Sequence, residues 1–138
     1  MNTAPVLVDV AVKDLSGAAL DWAVGVIEGA TPIEGGRLEW TVGTQKASVT
    51  PGMKNNPYNL EHRGFGYCPS IDWSHGGPLL TKYRIGFGLY PGAYFAVIGT
   101  NDDAGEGHGP DHLTSACRAI VAAKHGDIVK VPACLVMP

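Results

Sequence analysis

Between Leu15 and Gly29 apolar side chains recur at steps of three and four residues, and a segment so patterned has few ways to fold. Leu15, Ala19, Trp22, Ala23, Val26 and Ile27 form one stripe, which predicts a helix laid on an apolar surface. Asp14 or Ser16 can cap its first amides, and Gly29 can take the left-handed conformation that stops it. Asp21, Gly25 and Glu28 share the opposite face. The small side chains at Gly17, Ala18 and Ala19 would let the helix lie close to a sheet or a second helix.

A second helix is predicted over His112 to His125, capped by Asp111 and ended by Gly126, with Leu113, Ala116, Cys117, Ile120, Val121 and Lys124 along one face. Its last turn carries Lys124 and His125, favourable at the negative end of the helix dipole. Strand patterns occupy Val6 to Val12, read as buried on both faces, and Asp127 to Val131. Arg37 to Val42 alternates, with Gln45 to Val49 as its partner. Ile85 to Tyr90 and Ala93 to Ile98 flank Pro91-Gly92, the signature of an antiparallel hairpin. Asn101 to Asp111 reads as a polar glycine-rich loop. These elements give an α+β class: a small, mostly antiparallel sheet with two principal helices packed on it. The 138 residues suit one domain, with residues 30–59 as a variable insertion or lid.

A net charge of −3 argues against broad nucleic-acid binding, which needs a cationic excess. No apolar run approaches the roughly 20 residues that span a bilayer, and no signal peptide is evident. Cys68, Cys117 and Cys134 are odd in number and lack a Cys-x-x-Cys pair, which suits free thiols in a reducing cytoplasm and not a zinc site or disulfide framework.

The densest chemistry lies in Tyr67-Cys-Pro-Ser-Ile-Asp-Trp-Ser-His-Gly-Gly-Pro78. Here Tyr67, Ser70, Asp72, Trp73, His75, Gly76 and Gly77 are the candidate ligand-binding residues, with Arg63, Arg84 and Arg118 as phosphate-binding candidates. The Trp73 indole could stack on a nucleobase, Asp72 could accept from exocyclic amines or ribose hydroxyls, and the Gly76 and Gly77 amides could hold an anion. The competing reading makes Ser70 and Asp72 turn caps and buries Trp73 in the core. Ser70 is expected to start one helical turn that Gly76-Gly77-Pro78 ends; Leu79 to Tyr83 is a second short helix or extended. Arg118 is split between a structural partner such as Asp21 or Glu28 and a phosphate clamp. Ser70, Asp72 and His75 are too local for a hydrolase triad, and the His/Asp loop at 101–112 lacks metal-ligand spacing.

Three blocks taken together resemble the phage NinX-like family. They are Leu15-Ser-Gly-x-Ala-Leu-Asp-Trp-Ala-Val24 with Glu28-Gly29; Tyr67-x-Pro-Ser-x-Asp-Trp73 with Gly76-Gly-Pro78; and Gly109-Pro110 through Arg118-Ala119 to Gly126-Asp-x-Val-x-Val-Pro132. The pattern departs at residues 32–59 and 93–108. The resemblance implies a phage accessory protein in a bacterial cytoplasm and transfers no catalytic residues. The function expected is binding of a small polar, nucleotide-like ligand without turnover, sequestering a host antiviral signalling nucleotide, with no cofactor or metal and in a symmetric homo-oligomer. The alternatives are an enzyme that degrades such a nucleotide and a protein–protein inhibitor.

Overall fold

The computed structural model describes residues 6–33, 37–42, 45–49, 65–99 and 104–136. Among them are nine strands and three α-helices, so the α+β class holds. The strands form three small sheets instead of one. β1 (Leu7–Ala11) pairs antiparallel with β9 (Ile128–Pro132), Leu7 opposite Pro132 and Ala11 opposite Ile128. β2 (Thr31–Ile33), β3 (Arg37–Val42) and β4 (Gln45–Val49) run antiparallel, and β5 (Phe65–Gly66) adds a parallel pairing at the edge of β4. β6 (Ile85–Tyr90), β7 (Ala93–Gly99) and β8 (Ala104–Gly109) form an antiparallel meander.

The first predicted helix is α1 (Gly17–Ile27), and the second is α3 (His112–His125). α3 lies along β8 and β7 and also touches α1, which in turn packs on β3, β4 and β9. The shared core collects Leu15, Leu20 and Val24 near α1, Ile120 and Val121 of α3, Leu38 of β3 and Val131 of β9. Because α1 has neighbours all round, the face carrying Asp21 and Gly25 is buried as well. β1 is not buried on both faces: Leu7 and Asp9 are exposed, as is Val6 just before it, and among the described residues β1 pairs with β9 alone.

The expected loop at 101–111 contains β8, and its glycines explain why. Gly105 and Gly107 face α3, where an added Cβ would stand 2.4 Å from the Ala119 carbonyl oxygen and 2.2 Å from that of Ser115. The strand is flattened on one side so that a helix can rest on it. Residues 101–103 lie outside the described set.

α2 (Trp73–Lys82) is the other departure. It runs through Gly76-Gly77-Pro78 as one ten-residue helix instead of stopping there. Gly76 permits a close approach, since a Cβ would meet the Pro69 carbonyl oxygen at 2.4 Å and Leu113 Cδ2 at 2.7 Å. Pro78 is the sixth residue of α2, past the first four amides that lack an intrahelical acceptor, so it removes the bond that would reach back to the Ser74 carbonyl, and the helix continues on its packing against α3 and β6. The helix ends at Tyr83 and Arg84, the latter at φ 52°, a left-handed conformation that disfavours side chains. Arg84→Gly is therefore expected to stabilise the protein by about 0.5–1 kcal/mol, read as a raised urea midpoint at unchanged slope.

Candidate functional site

The two Asp-Trp pairs take opposite roles. Trp22 is 7% exposed in the core and Trp73 is 57% exposed at the first turn of α2. Asp72 caps α2, accepting from the Ser74 amide at 2.8 Å and from the Ser74 hydroxyl. Those hydrogen bonds, the hydroxyl's first, hold its carboxyl below the usual carboxylate range. The competing reading is thus met for Asp72 as a cap but not for Ser70, whose side chain caps no backbone amide among the described residues, nor for a buried Trp73.

Asp21 is fully buried and accepts from the Ser70 amide at 2.9 Å, pinning the turn that precedes α2 onto α1. Burial raises its pKa to about 7, with the Ser70 amide and hydroxyl opposing the shift. Ser70 itself is buried, so it braces this turn while Asp72 starts the helix.

Beside Trp73 lies a depression of about 320 Å³ lined by Ser70, Ile71, Trp73, Asp111, His112 and Leu113. His112 is its hub. The ring centroid of His112 stands 6.1 Å from that of Trp73, 4.8 Å from Phe87 in an edge-on pose, and 4.3 Å from Tyr94. Three elements build this aromatic group: the start of α2, the start of α3, and the β6–β7 hairpin. Asp111 accepts from the Thr114 amide at 2.7 Å and so fixes where α3 begins. Ile71, Phe87 and Leu89 leave exposed apolar surface around it.

The other predicted residues divide. Tyr67 is buried and stacks on His75 at 5.6 Å, and burial pushes its phenol up. His75 is held near Cys68 and away from the depression; burial lowers its pKa, with Asp72 opposing. Gly76 and Gly77 lie inside α2, and the Gly76 amide donates to the Asp72 carbonyl at 2.8 Å. Their backbone therefore forms a helix and not an open anion-binding concavity. Arg84 stands at the far end of α2, about 15 Å along its axis. Arg63 lies outside the described residues.

Arg118 reaches neither Asp21 nor Glu28. Its Nε donates to the Leu15 carbonyl at 2.9 Å and its Nη1 to the His108 carbonyl at 2.7 Å, tying the approach to α1 onto β8 through α3. Glu28 instead pairs with Lys82 at 2.9 Å and accepts from the Tyr83 hydroxyl. Arg118→Ala should cost about 2 kcal/mol in a denaturation experiment. Arg118→Lys should not restore it, because one ammonium cannot reproduce the planar fork.

A larger groove, about 510 Å³, runs between residues 11–13, β8 and α3, with Lys13, Glu106, His108, Arg118 and Asp127 in its lining. It offers charges of both signs and a single ring, the His108 imidazole, which pairs with Glu106 at 3.0 Å, and its guanidinium is committed to backbone carbonyls. The aromatic depression is the better candidate.

The family description "Bacteriophage P22, NinX" matches residues 11–124. The chain belongs to this family. It is thus a phage accessory protein, and the matched span takes in α1, α2, the meander sheet and nearly all of α3. No curated protein is similar enough to the chain to be matched. Among the described residues no helix is long and apolar enough to cross a membrane.

Reasoning from sequence missed Asp111, His112, Phe87 and Tyr94 as site residues. His112 carries one signal that could have found it, a polar aromatic ring beside a helix cap. Its ring partners stand too far away in the chain for spacing to reveal them.

Proposed function

We propose that this phage protein binds a small, polar, nucleotide-like ligand without turning it over, and so withholds a host antiviral signalling nucleotide in the bacterial cytoplasm. The observation that carries the reading is the exposed Trp73 indole facing the His112 group at the edge of a concavity. Exposing a large indole forgoes its burial energy, so a planar partner that covers it gains that energy back. Base–aromatic stacking contributes about 1–3 kcal/mol per base. Asp111 supplies a carboxylate at the rim for exocyclic amines or ribose hydroxyls. The described cationic candidates do not converge on the depression, so recognition rests on the base more than on phosphate.

The depression is at the small end for ligand sites, which run from about 300 Å³ upward. A second copy of the chain seated against Ile71, Phe87 and Leu89 would deepen it, and a symmetric homo-oligomer belongs to the proposal. The same patch favours one rival, a protein–protein inhibitor.

Mass spectrometry of small molecules released by heat from protein purified out of cells with an active nucleotide-based defence separates these readings. An intact nucleotide supports sequestration, and its cleaved product would make the protein an enzyme. A stoichiometric host protein with no small molecule would favour the inhibitor.

A further inference from the structure

On the other side of the first turn of α2, three side chains with metal-binding chemistry converge. Cys68 Sγ, a carboxylate oxygen of Asp72 and a ring nitrogen of His75 all lie within 4.8 Å of one another. We propose that Cys68, Asp72 and His75 form a binding site for one Zn²⁺-like divalent transition-metal ion, with a fourth position open to solvent or a ligand.

The distances suit such an ion. Zinc takes thiolate sulfur at about 2.3 Å and imidazole nitrogen at about 2.0 Å, which sets the two roughly 3.6 Å apart in a tetrahedron. Cys68 Sγ and His75 Nδ1 are already 3.7 Å apart. A mixed set of thiolate, imidazole and carboxylate matches borderline-soft Zn²⁺ better than Mg²⁺ or Ca²⁺, which prefer oxygen.

The backbone holds these groups in place before any ion arrives. The Ile71 and Asp72 amides donate to the Cys68 carbonyl at 3.1 and 2.9 Å, closing the turn that brings Cys68 under α2. Asp72 is fixed as the cap, and His75 by stacking on Tyr67. All three ligands come from eight consecutive residues, so little chain entropy is lost on binding. Trp73 lies between Asp72 and His75 in sequence, but His75 is turned roughly 200° further round the axis, and the metal site is separate from the aromatic depression.

Binding exchanges known contacts. The Cys68 amide now donates to His75 Nδ1 at 3.1 Å, and the Cys68 thiol donates to the Gly66 carbonyl at 3.6 Å. Coordination replaces both: the thiol proton passes to solvent, the sulfur lone pair forms the metal bond, and no electron is transferred.

The test is titration of chelator-stripped full-length protein with Co²⁺, then Zn²⁺. One Co²⁺ per chain should produce a thiolate-to-metal charge-transfer band in the near ultraviolet, which Zn²⁺ bleaches. Cys68→Ala should abolish the band, and Cys134→Ala, at an exposed thiol, should leave it intact. Asp72→Asn keeps an acceptor that can cap α2, so its melting temperature without metal should hold. Its Zn²⁺ affinity should fall by more than the roughly tenfold that losing an outer-shell partner costs. Absence of the band, its survival in Cys68→Ala, or wild-type affinity in Asp72→Asn would overturn the assignment. Should Cys68→Ala fail to fold, Asp72→Asn alone decides.

Discussion

Gly107→Ala is expected to cost about 3 kcal/mol or more and to lower the melting temperature by roughly 10 °C, a large effect for a single added methyl. The new Cβ would stand 2.2 Å from the Ser115 carbonyl oxygen and 2.4 Å from the Ala119 amide nitrogen. Both are backbone atoms in the middle of α3, so no side chain can rotate aside. β8 and α3 must separate, opening a gap beside Ala96, Ala119 and Ile120 in the core. Gly86, two strands away in the same sheet, has nothing within 4 Å of an added Cβ. Gly86→Ala should be neutral or slightly stabilising, so thermal melts of the two variants compare equal chemistry at a closed and an open position. Equal melting temperatures would refute the close packing of β8 on α3.

Asp21 should give the protein a stability that falls as the pH rises. Its folded-state pKa is raised to about 7 from an ordinary value near 3.8, because burial disfavours the carboxylate more than the Ser70 donors favour it. The folded state therefore holds the proton more tightly than the unfolded chain. The stabilisation is complete below about pH 4 and is lost progressively as pH climbs to about 7, by an amount on the order of 4 kcal/mol. His75 works the other way, since its depressed pKa removes stability as pH falls through the mid-range. Asp21→Asn isolates the first effect, because the amide oxygen can still accept from Ser70 but cannot ionise. Denaturant titrations at pH 4.5 and pH 8 should show the variant gaining on the wild type by roughly 3 kcal/mol between the two conditions. An equal difference at both pH values would mean that the carboxylate does not titrate there.

How much of this could be read from the letters follows from the range of the forces involved. α1, α3 and the β6–β7 hairpin are legible because their signals are local: apolar steps, an Asp cap before α3, and Pro91-Gly92 at the turn. β8 hides because Gly105, Gly107 and Gly109 look like loop composition. They are a strand's flat face, and only the neighbouring α3 makes that face necessary. α2 hides behind Gly76-Gly77-Pro78, which breaks an isolated helix but is tolerated where Gly76 must sit against Pro69 and Leu113. Asp21 looks polar on a helical wheel, yet that face meets the Ser70 turn, 49 positions on. The same limit applies to the site. Trp73 and Asp72 stand out by type, but whether the indole points inward or outward depends on the partners of α2. His112 gains meaning only once Trp73, Phe87 and Tyr94 surround it.

The most direct test of the binding account is calorimetric titration of wild-type protein and Trp73→Ala with the nucleotide recovered from defence-active cells. Because the indole is mostly exposed, the variant should melt within about 1 °C of the wild type. Its affinity should drop about 10- to 100-fold, the loss of one stacked base. A folded Trp73→Ala that binds the nucleotide as tightly as the wild type would contradict the account.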